Sequence, residues 1–191
     1  PINRTFTTQE LGFATLKFNS VAAQMSRGKS EKTVAFAMSS VAATLAKFSM
    51  DVCLYMSQNF DFISLPAHLT TGSSIMPHKK NPDVFELIRG KCNKIQALPY
   101  EITLITNNLP SGYHREFQLL KEGLFPAIQN LKACLDIAIF SIKDIKVKDN
   151  ILADPKYNYL FTVDTLNEMV VAGMPFRDAY KAVAEQLENG T

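Results

Sequence analysis

The chain has 191 residues, of which 47% are hydrophobic, so it can bury the core of one domain or of part of a larger one. The 20 Lys and Arg residues oppose 18 Asp and Glu residues, and the charges are interspersed. This balance argues against a nucleic-acid or membrane partner. No signal peptide and no apolar run of about 18 residues is recognised, so we expect a cytoplasmic protein.

The three cysteines, Cys53, Cys92 and Cys134, lie in apolar helical patterns. None belongs to a Cys-x-x-Cys pair, and none has the spacing of a metal site. We therefore expect reduced, buried and structural thiols, with no metal site and no cofactor.

The N-terminal part of the chain predicts a helix followed by a loop. Thr7 and Glu10 have the spacing of a capping box, which would open a helix that ends near Gln24. Residues 26–30 form a polar loop. Its Arg27 is either a ligand contact or a solvated charge, and the solvated charge is the better expectation.

A long helix is predicted for residues 30–59, which contain neither Gly nor Pro. Their apolar positions alternate in steps of four and three, the pattern of a coiled-coil-like seam. Small residues beside the seam favour the close approach of neighbouring helices, with burial on two sides. The seam consists of Val34, Met38, Val41, Leu45, Phe48, Val52 and Tyr55.

Two further helical regions follow. Residues 84–105 keep the helical spacing, although Pro99 should kink or break the helix near Leu98. A turn then leads to another long helix over about residues 115–142, which Pro126 should bend.

Beyond Asp144 the sequence becomes polar and interrupted, and two shorter helices are predicted at about 159–171 and 176–187. No strand-like alternation of useful length occurs. The predicted fold class is therefore all-α, a bundle of long helices. We expect a long-helix domain over residues 1–144 and the start of a smaller helical domain over residues 145–191.

Helical packing does not explain the loop at residues 70–83, whose sequence is Thr-Thr-Gly-Ser-Ser-Ile-Met-Pro-His-Lys-Lys-Asn-Pro-Asp. Gly72 permits backbone angles that are closed to other residues, and Ser73 and Ser74 supply two hydroxyls. Such a turn can bring hydroxyls and backbone N–H groups to a ligand.

Two cations and a helix start follow the serines. Asn81 and Pro82 match the N-cap and the first position of a helix, whose positive end would face the same space as Lys79 and Lys80. A carboxylate or a developing oxyanion would be stabilised there. The loop therefore predicts an anion-handling site, and the alternative is a surface loop with an ordinary helix cap.

A second polar cluster lies at the start of the later long helix. Tyr113, Gln118 and Lys121 offer a hydroxyl, an amide and an ammonium group. Gln118 and Lys121 are three residues apart, so on a helix they would point the same way. Spacing alone favours a solvated first helical turn.

The run Gly-Ser-Ser-x-Met-Pro-x-Lys-x-Asn-Pro resembles the signature of the fumarase and aspartase superfamily. Within that superfamily, the run Leu-Pro-x-x-Tyr-x-Arg-Glu-x-Gln-x-x-Lys-Glu at residues 109–122 is similar to argininosuccinate lyase, as is Gly-Met-Pro-Phe-Arg at residues 173–177. The resemblance runs from residue 1 to about residue 188. It corresponds to the middle and later part of a much longer enzyme.

The resemblance implies a role for each site residue. Ser73 matches the serine taken as the general base, and Lys79 and Asn81 match residues that hold the substrate carboxylate. Glu86 matches an acidic partner of the histidine on the acid side of the reaction. The substrate-binding positions implied are Ser74, Tyr113, Gln118 and Lys121.

The chain departs from the family at residues 26–28, where an Asp-Arg-Asp-like segment is usual, and at His114, where an Asn is usual. The first departure leaves open whether Arg27 contacts substrate. The Thr-His motif that supplies the general acid in the family lies upstream of the match, and neither His68, His78 nor His114 has that context. We therefore expect a fragment that is inactive alone.

The resemblance implies the elimination of arginine from argininosuccinate to give fumarate, a step of arginine biosynthesis. It also implies a homotetramer with a central helix bundle. Three alternatives stay open: a sibling lyase such as adenylosuccinate lyase or aspartase, a crystallin-like structural homologue without activity, and a helical assembly scaffold.

Overall fold

The computed structural model describes residues 2–76 and 78–188. The chain divides into two compact units, the first ending at Lys146 and the second beginning at Val147. This division lies close to the boundary expected after residue 144. Pro77, in the loop at residues 70–83, lies outside the described residues.

The described residues are predominantly helical, so the all-α prediction is confirmed. The α-helices of the first unit are α1 (Arg4–Glu10), α2 (Ser20–Met25), α3 (Lys29–Tyr55), α4 (Asp83–Gln96), α5 (Leu98–Thr106) and α6 (Leu120–Ile142). A two-stranded sheet pairs β1 (Ile63–Ser64) with β2 (Lys146–Val147). The second unit contains α7 (Thr162–Val171) and α8 (Phe176–Glu188), which pack on each other through Leu166, Ala179 and Val183.

The N-terminal residues form two short helices instead of the single helix predicted up to Gln24. Asn3 caps α1, since its side-chain oxygen accepts a hydrogen bond from the N–H of Phe6 at 3.1 Å. The predicted cap, Thr7, lies inside α1 and donates its hydroxyl to the carbonyl of Arg4 at 3.0 Å. The predicted capping box is wrong, because a Thr hydroxyl inside a helix bonds the preceding turn.

A second asparagine starts α2. Asn19 accepts a hydrogen bond from the N–H of Ala22 at 3.1 Å. Between the two helices, Gly12 has a φ of +74°, the left-handed conformation that commonly ends a helix. Two asparagine caps and one glycine thus divide a stretch whose apolar pattern predicted one continuous helix.

The long helix predicted at residues 30–59 is confirmed as α3, which ends at Tyr55. Only part of the predicted seam is buried, because Val34 and Val41 are each 44% exposed. Small side chains, rather than Val34 and Val41, form part of the buried face of α3. They let α4, the main packing partner of α3, approach closely. The buried face consists of Ala35, Met38, Ala42, Leu45, Ala46, Ser49 and Val52.

The predicted break near Leu98 is confirmed, because α4 ends at Gln96 and α5 begins at Leu98. α4 turns Phe85, Ile88, Cys92 and Ile95 into the core. Phe85 is fully buried in the first turn of α4 and meets Phe48 of α3 edge to face, with 5.8 Å between ring centroids. This contact fixes the start of α4, where the loop at residues 70–83 ends.

The helix predicted over residues 115–142 is divided. Residues Arg115–Gln118 form a 3-10 turn, and α6 begins only at Leu120. Gln118 therefore lies in the 3-10 turn and Lys121 in α6, instead of on the single helix that was predicted. The buried side chains Phe117 and Leu120 on either side of the junction favour the tighter turn, because both must reach the core.

The start of α3 lies against the end of α5. Gly28 has a φ of +83°, and a Cβ at this position would overlap the γ-methyl group of Thr106. The carboxylate of Glu31 accepts a hydrogen bond from the N–H of Gly28 at 2.8 Å and so closes the first turn of α3. Only glycine satisfies both the left-handed conformation and the close approach.

Apolar side chains remain exposed on the two long helices. They include Phe36 and Met50 on α3 and Phe125, Ile139 and Phe140 on α6. Contrary to expectation, the helical stretches Ser20–Tyr55 and Arg115–Ile142 are long and apolar enough to cross a membrane by length and composition. Core helices of soluble proteins have the same property, so this finding is weak evidence for a span.

Gly28→Ala is expected to lower the free energy of unfolding by about 2–4 kcal/mol, because it adds backbone strain and an overlap with Thr106. Urea unfolding followed by circular dichroism measures the change. Gly12→Ala is the matched control: its φ is also positive, but nothing lies within 4 Å of the added Cβ, so only strain of about 1 kcal/mol applies. Equal losses of unfolding free energy in the two variants would contradict the close approach of Gly28 to Thr106. Thr106→Ser removes the overlapping γ-methyl group, so it should restore part of the stability lost in Gly28→Ala.

Candidate functional site

The loop at residues 70–83 borders a cavity of about 750 Å³ at the C-terminal end of α3. Three of the predicted catalytic residues, Lys79, Asn81 and Glu86, line it. The predictions did not include the residues contributed by α3 and the turn after it. These additional lining residues include Cys53, Met56, Ser57, Gln58 and Ser64.

The two ends of the loop are joined. An isolated antiparallel bridge pairs Thr71 with Asn81, with N···O distances of 3.2 and 2.8 Å. The side-chain amide of Asn81 donates to the carbonyl of Gly72 at 3.4 Å. Asn81 therefore closes the loop and is not the N-cap that the sequence predicted. α4 begins at Asp83, with Pro82 in the N-cap position, because the backbone of Asn81 is committed to the bridge.

The hydroxyl of Ser73 is held inside the loop. Its Oγ accepts hydrogen bonds from the backbone N–H groups of Ile75 and Met76, at 3.2 and 3.3 Å. Two donors directed at one oxygen stabilise negative charge on that oxygen. The arrangement therefore suits a serine that gains charge when it loses or shares its proton. Ser73 lies on the same loop as Lys79 but is not among the residues that line the cavity, and Ser74 is exposed.

The cavity carries charges of both signs. Lys79 and Lys80 are exposed at one side, and Glu86 lies in the first turn of α4. A carboxylate is stabilised in that position by the helix dipole. Such a cavity fits a ligand with both anionic and cationic groups better than a purely anionic one.

Burial raises the pKa of the Cys53 thiol at the cavity wall. The positive charge of Arg89 partly offsets this increase in pKa, whereas the negative charge of Glu86 adds to it. Burial also raises the pKa of Cys92 to about 12, with a further contribution from the neighbouring Cys134. All three cysteines are free. Cys53 is only half-buried, which departs from the expectation of three buried thiols.

The second polar cluster is only partly assembled. The amide nitrogen of Gln118 donates to the hydroxyl of Tyr113 at 3.3 Å, and Lys121 is exposed in the first turn of α6. The ring nitrogen Nε2 of His114 lies 2.8 Å from the carbonyl oxygen of Pro110. None of the predicted substrate-binding residues lines the cavity of about 750 Å³. The two sets of site residues therefore do not share a cavity.

Arg27 is half-buried, with its side chain 35% exposed, and it does not line the cavity of about 750 Å³. Its Nε forms an ion pair with Glu31 at 3.2 Å, and its Nη2 donates to the carbonyl of Phe117 at 3.2 Å. The guanidinium also lies 5.8 Å from the centroid of the Phe117 ring. Arg27 is thus a partly solvated charge that also ties the start of α3 to the 3-10 turn that carries Gln118.

In the part of the chain that the structure describes, no group of three or more His, Cys, Asp or Glu side chains is placed to hold a metal ion. The loop offers instead backbone N–H groups, hydroxyls and ammonium groups. These are donors for an anion.

Comparison with known proteins decides the family. A family described as lyase matches residues 2–97, which is half of the chain. The chain belongs to this lyase family.

Two relatives in the lyase family show how far the similarity extends. The argininosuccinate lyase of Parabacteroides distasonis is 58% identical over 190 residues. That of Xanthomonas oryzae pv. oryzae is 40% identical over 185 residues. The alignments cover 100% and 97% of this chain but 43% of each relative, so the chain spans less than half of their length. The expectation that the similarity covers part of a longer enzyme is confirmed.

Solved structures of lyases share the fold. An EDDS lyase variant with bound fumarate has a TM-score of 0.74 at 22% identity, covering 100% of this chain and 39% of that structure. The class II fumarase of Schistosoma mansoni has a TM-score of 0.74 at 21% identity, covering 94% and 37%. At these identities the likeness concerns the fold alone, which agrees with the predicted all-α bundle of long helices.

Alkylation of Cys53 by iodoacetamide should keep accelerating above about pH 9.5, where an ordinary thiol with a pKa near 8.5 is almost fully ionised and its reactivity levels off. Because burial raises the pKa of Cys53, a smaller fraction of this residue is the reactive thiolate at each pH, and that fraction still grows. Mass spectrometry of the folded chain measures the rate. Cys53→Ser is the control and should abolish labelling, since Cys92 and Cys134 are buried. A rate of Cys53 alkylation that levels off by about pH 9.5 would contradict the burial of this thiol.

Proposed function

We propose that this chain forms part of an argininosuccinate lyase, which splits argininosuccinate into arginine and fumarate. The loop and the start of α4 support the proposal: the Ser73 hydroxyl accepts hydrogen bonds from two backbone N–H groups, and Lys79, Asn81 and Glu86 line one cavity. The relatives named argininosuccinate lyase, at 58% and 40% identity, support the substrate. The reaction would take place in the cytoplasm as a step of arginine biosynthesis.

In the proposed mechanism Ser73 removes a proton from the carbon beside a carboxylate. The electron pair moves onto that carboxylate and gives an aci-carboxylate with two negative charges. The carbon–nitrogen bond then breaks, the double bond of fumarate forms, and the guanidinium nitrogen of arginine leaves with the bonding electrons and takes up a proton. The donors at Ser73 Oγ favour its charged form, which is the form that acts as a base.

Lys79 and Asn81 stabilise the carboxylate that gains charge. Lys79 supplies an ammonium group at the cavity, and fixed charges of this kind contribute several kcal/mol to a transition state. One N–H of the Asn81 amide donates to Gly72, which leaves its second N–H for the substrate. Ser74 adds a hydroxyl on the same loop.

The remaining groups act elsewhere on the substrate. Tyr113, Gln118 and Lys121 bind a carboxylate whose charge stays constant during the reaction, so they contribute to binding rather than to the chemical step. Glu86 assists the acid side of the reaction. The acid itself belongs to a part of the enzyme beyond this chain, and the chain alone is inactive.

The enzyme is proposed to act as a homotetramer assembled through its long helices. Exposed apolar side chains on α3 and α6 support this arrangement, since large exposed apolar faces mark association surfaces. Sedimentation equilibrium of the chain at micromolar concentration should therefore give a species larger than a monomer. Phe140→Glu, which places a charge in the exposed face of α6, should shift the distribution toward monomer. A clean monomer for the unmodified chain would contradict the proposal.

Ser73→Ala in the complete enzyme is expected to lower kcat by about 10² to 10⁴, because a general base contributes that much. The fold and the affinity for substrate should change little, since one half-buried hydroxyl is removed. The release of fumarate from argininosuccinate, adenylosuccinate and aspartate measures both the activity and the substrate choice. Ser40→Ala, which removes an exposed hydroxyl of α3, is the matched control. If Ser73→Ala keeps more than about a tenth of kcat, a change of about 1.4 kcal/mol, Ser73 is not the base.

A further inference from the structure

We propose that Thr71 and Asp83 form a clamp across the base of the loop and are positioning residues for Ser73. The inference rests on the proposed function for its kinetic part and on the contacts of the loop for its structural part. In the clamp, the hydroxyl of Thr71 donates a hydrogen bond to the carboxylate oxygen Oδ2 of Asp83, twelve residues along the chain.

The loop depends on its base for its position. Among residues 72–76 and 78–80, the hydrogen bonds run to other residues of the loop or to Asn81 at its base. The Oγ of Ser73 is held by Ile75 and Met76, which belong to the loop themselves. These bonds fix the local shape of the loop, but they do not place it relative to the core. That placement falls to the residues where the loop begins and ends.

The clamp connects the loop to rigid structure at both ends. Leu69, two residues before Thr71, is 4% exposed, and Phe85, two residues after Asp83, is 0% exposed. Asp83 is also the first residue of α4, where the helix dipole favours a carboxylate. The Thr71 hydroxyl therefore binds an acceptor whose position the core determines. Ser73 is only two residues from this anchor.

Thr71 and Asp83 contact each other across the base of the loop, so the clamp acts through the position of Ser73 and not on the substrate. Proton abstraction requires the base to lie close to the reacting carbon, and displacement by about 1 Å can cost about 10²-fold in rate. Loss of the clamp should therefore lower kcat with little change in KM. Loss of a substrate contact would raise KM instead.

The first test compares Thr71→Val with Thr71→Ser in the complete enzyme. Valine keeps the shape of threonine without the hydroxyl, so kcat should fall by at least about tenfold while KM changes less than about threefold. Serine keeps the donor and should retain at least half of kcat. Thr33→Val is the matched control, because its exposed hydroxyl bonds only its own helix. A loss in Thr71→Ser equal to that in Thr71→Val would overturn the proposal.

Asp83 variants test the acceptor. Asp83→Asn keeps an oxygen that accepts the Thr71 hydroxyl, whereas Asp83→Ala removes it, so alanine should lower kcat several-fold more than asparagine. The double variant Thr71→Val with Asp83→Ala should lose no more than the worse single variant, because the two residues act as one unit. Additive losses, or an Asp83→Asn variant with raised KM at unchanged kcat, would overturn the clamp.

Hydrogen exchange gives a readout that does not depend on catalysis. The amide N–H groups of Ile75 and Met76 donate to Ser73, so their exchange reports the order of the loop. Their exchange should accelerate in Thr71→Val and stay unchanged in Thr71→Ser and Thr33→Val. If the unmodified enzyme proves inactive on argininosuccinate while this pattern holds, the proposed function fails and the clamp stands. Unchanged exchange in Thr71→Val overturns the clamp whatever the activity.

Discussion

The close packing of α4 on α3 is the constraint on which the candidate site depends. Ala35 and Ala42 are fully buried on α3 and let the neighbouring helix approach, so that Phe85 enters the core and meets Phe48 edge to face. Burial of a phenylalanine side chain contributes about 2–3 kcal/mol, which is enough to hold one turn of helix in place. That turn is the first of α4. The position of Asp83, and with it the end of the loop, therefore follows from an apolar contact in the core.

A polar loop between two fixed ends can carry chemistry that a core cannot. Its hydroxyls and ammonium groups stay near solvent, where they can meet a ligand, while its ends share the rigidity of the helix pair. The bridge between Thr71 and Asn81 shortens the free segment to the residues that bear the functional groups. Because the ends of the loop are fixed and its middle is held by its own hydrogen bonds, Ser73 can be well oriented in a segment with few apolar contacts.

Much of the fold could be predicted from sequence, because helical periodicity is a local property. The absence of Gly and Pro from residues 30–59 predicted α3, and Pro99 predicted the break before α5. The starts of helices were predicted less well. Several side chains can serve as a helix cap, and tertiary contacts determine which one does. Asn3 rather than Thr7 caps α1, and Asn81 does not cap α4 because its backbone pairs with Thr71.

For the candidate site, the sequence predicted a loop of candidate residues but not the other residues that line the cavity. Ser73, Lys79 and Asn81 are neighbours in sequence, so a motif suffices to place them on one loop. Cys53 of α3 and Gln58 of the turn after it line the same cavity, and no local pattern indicates this. Arg27 is the clearest case, since it binds a carbonyl 90 residues away. A contact of that range depends on the packing of the whole unit.

The exposed side of α3 reaches the candidate site. One face of this helix packs on α4, and its last turns carry the exposed side chains Met50, Leu54 and Tyr55. Cys53 lies between these residues and faces the cavity. The exposed face of α3 therefore extends to the cavity wall, whereas Tyr113, Gln118 and Lys121 do not line that cavity.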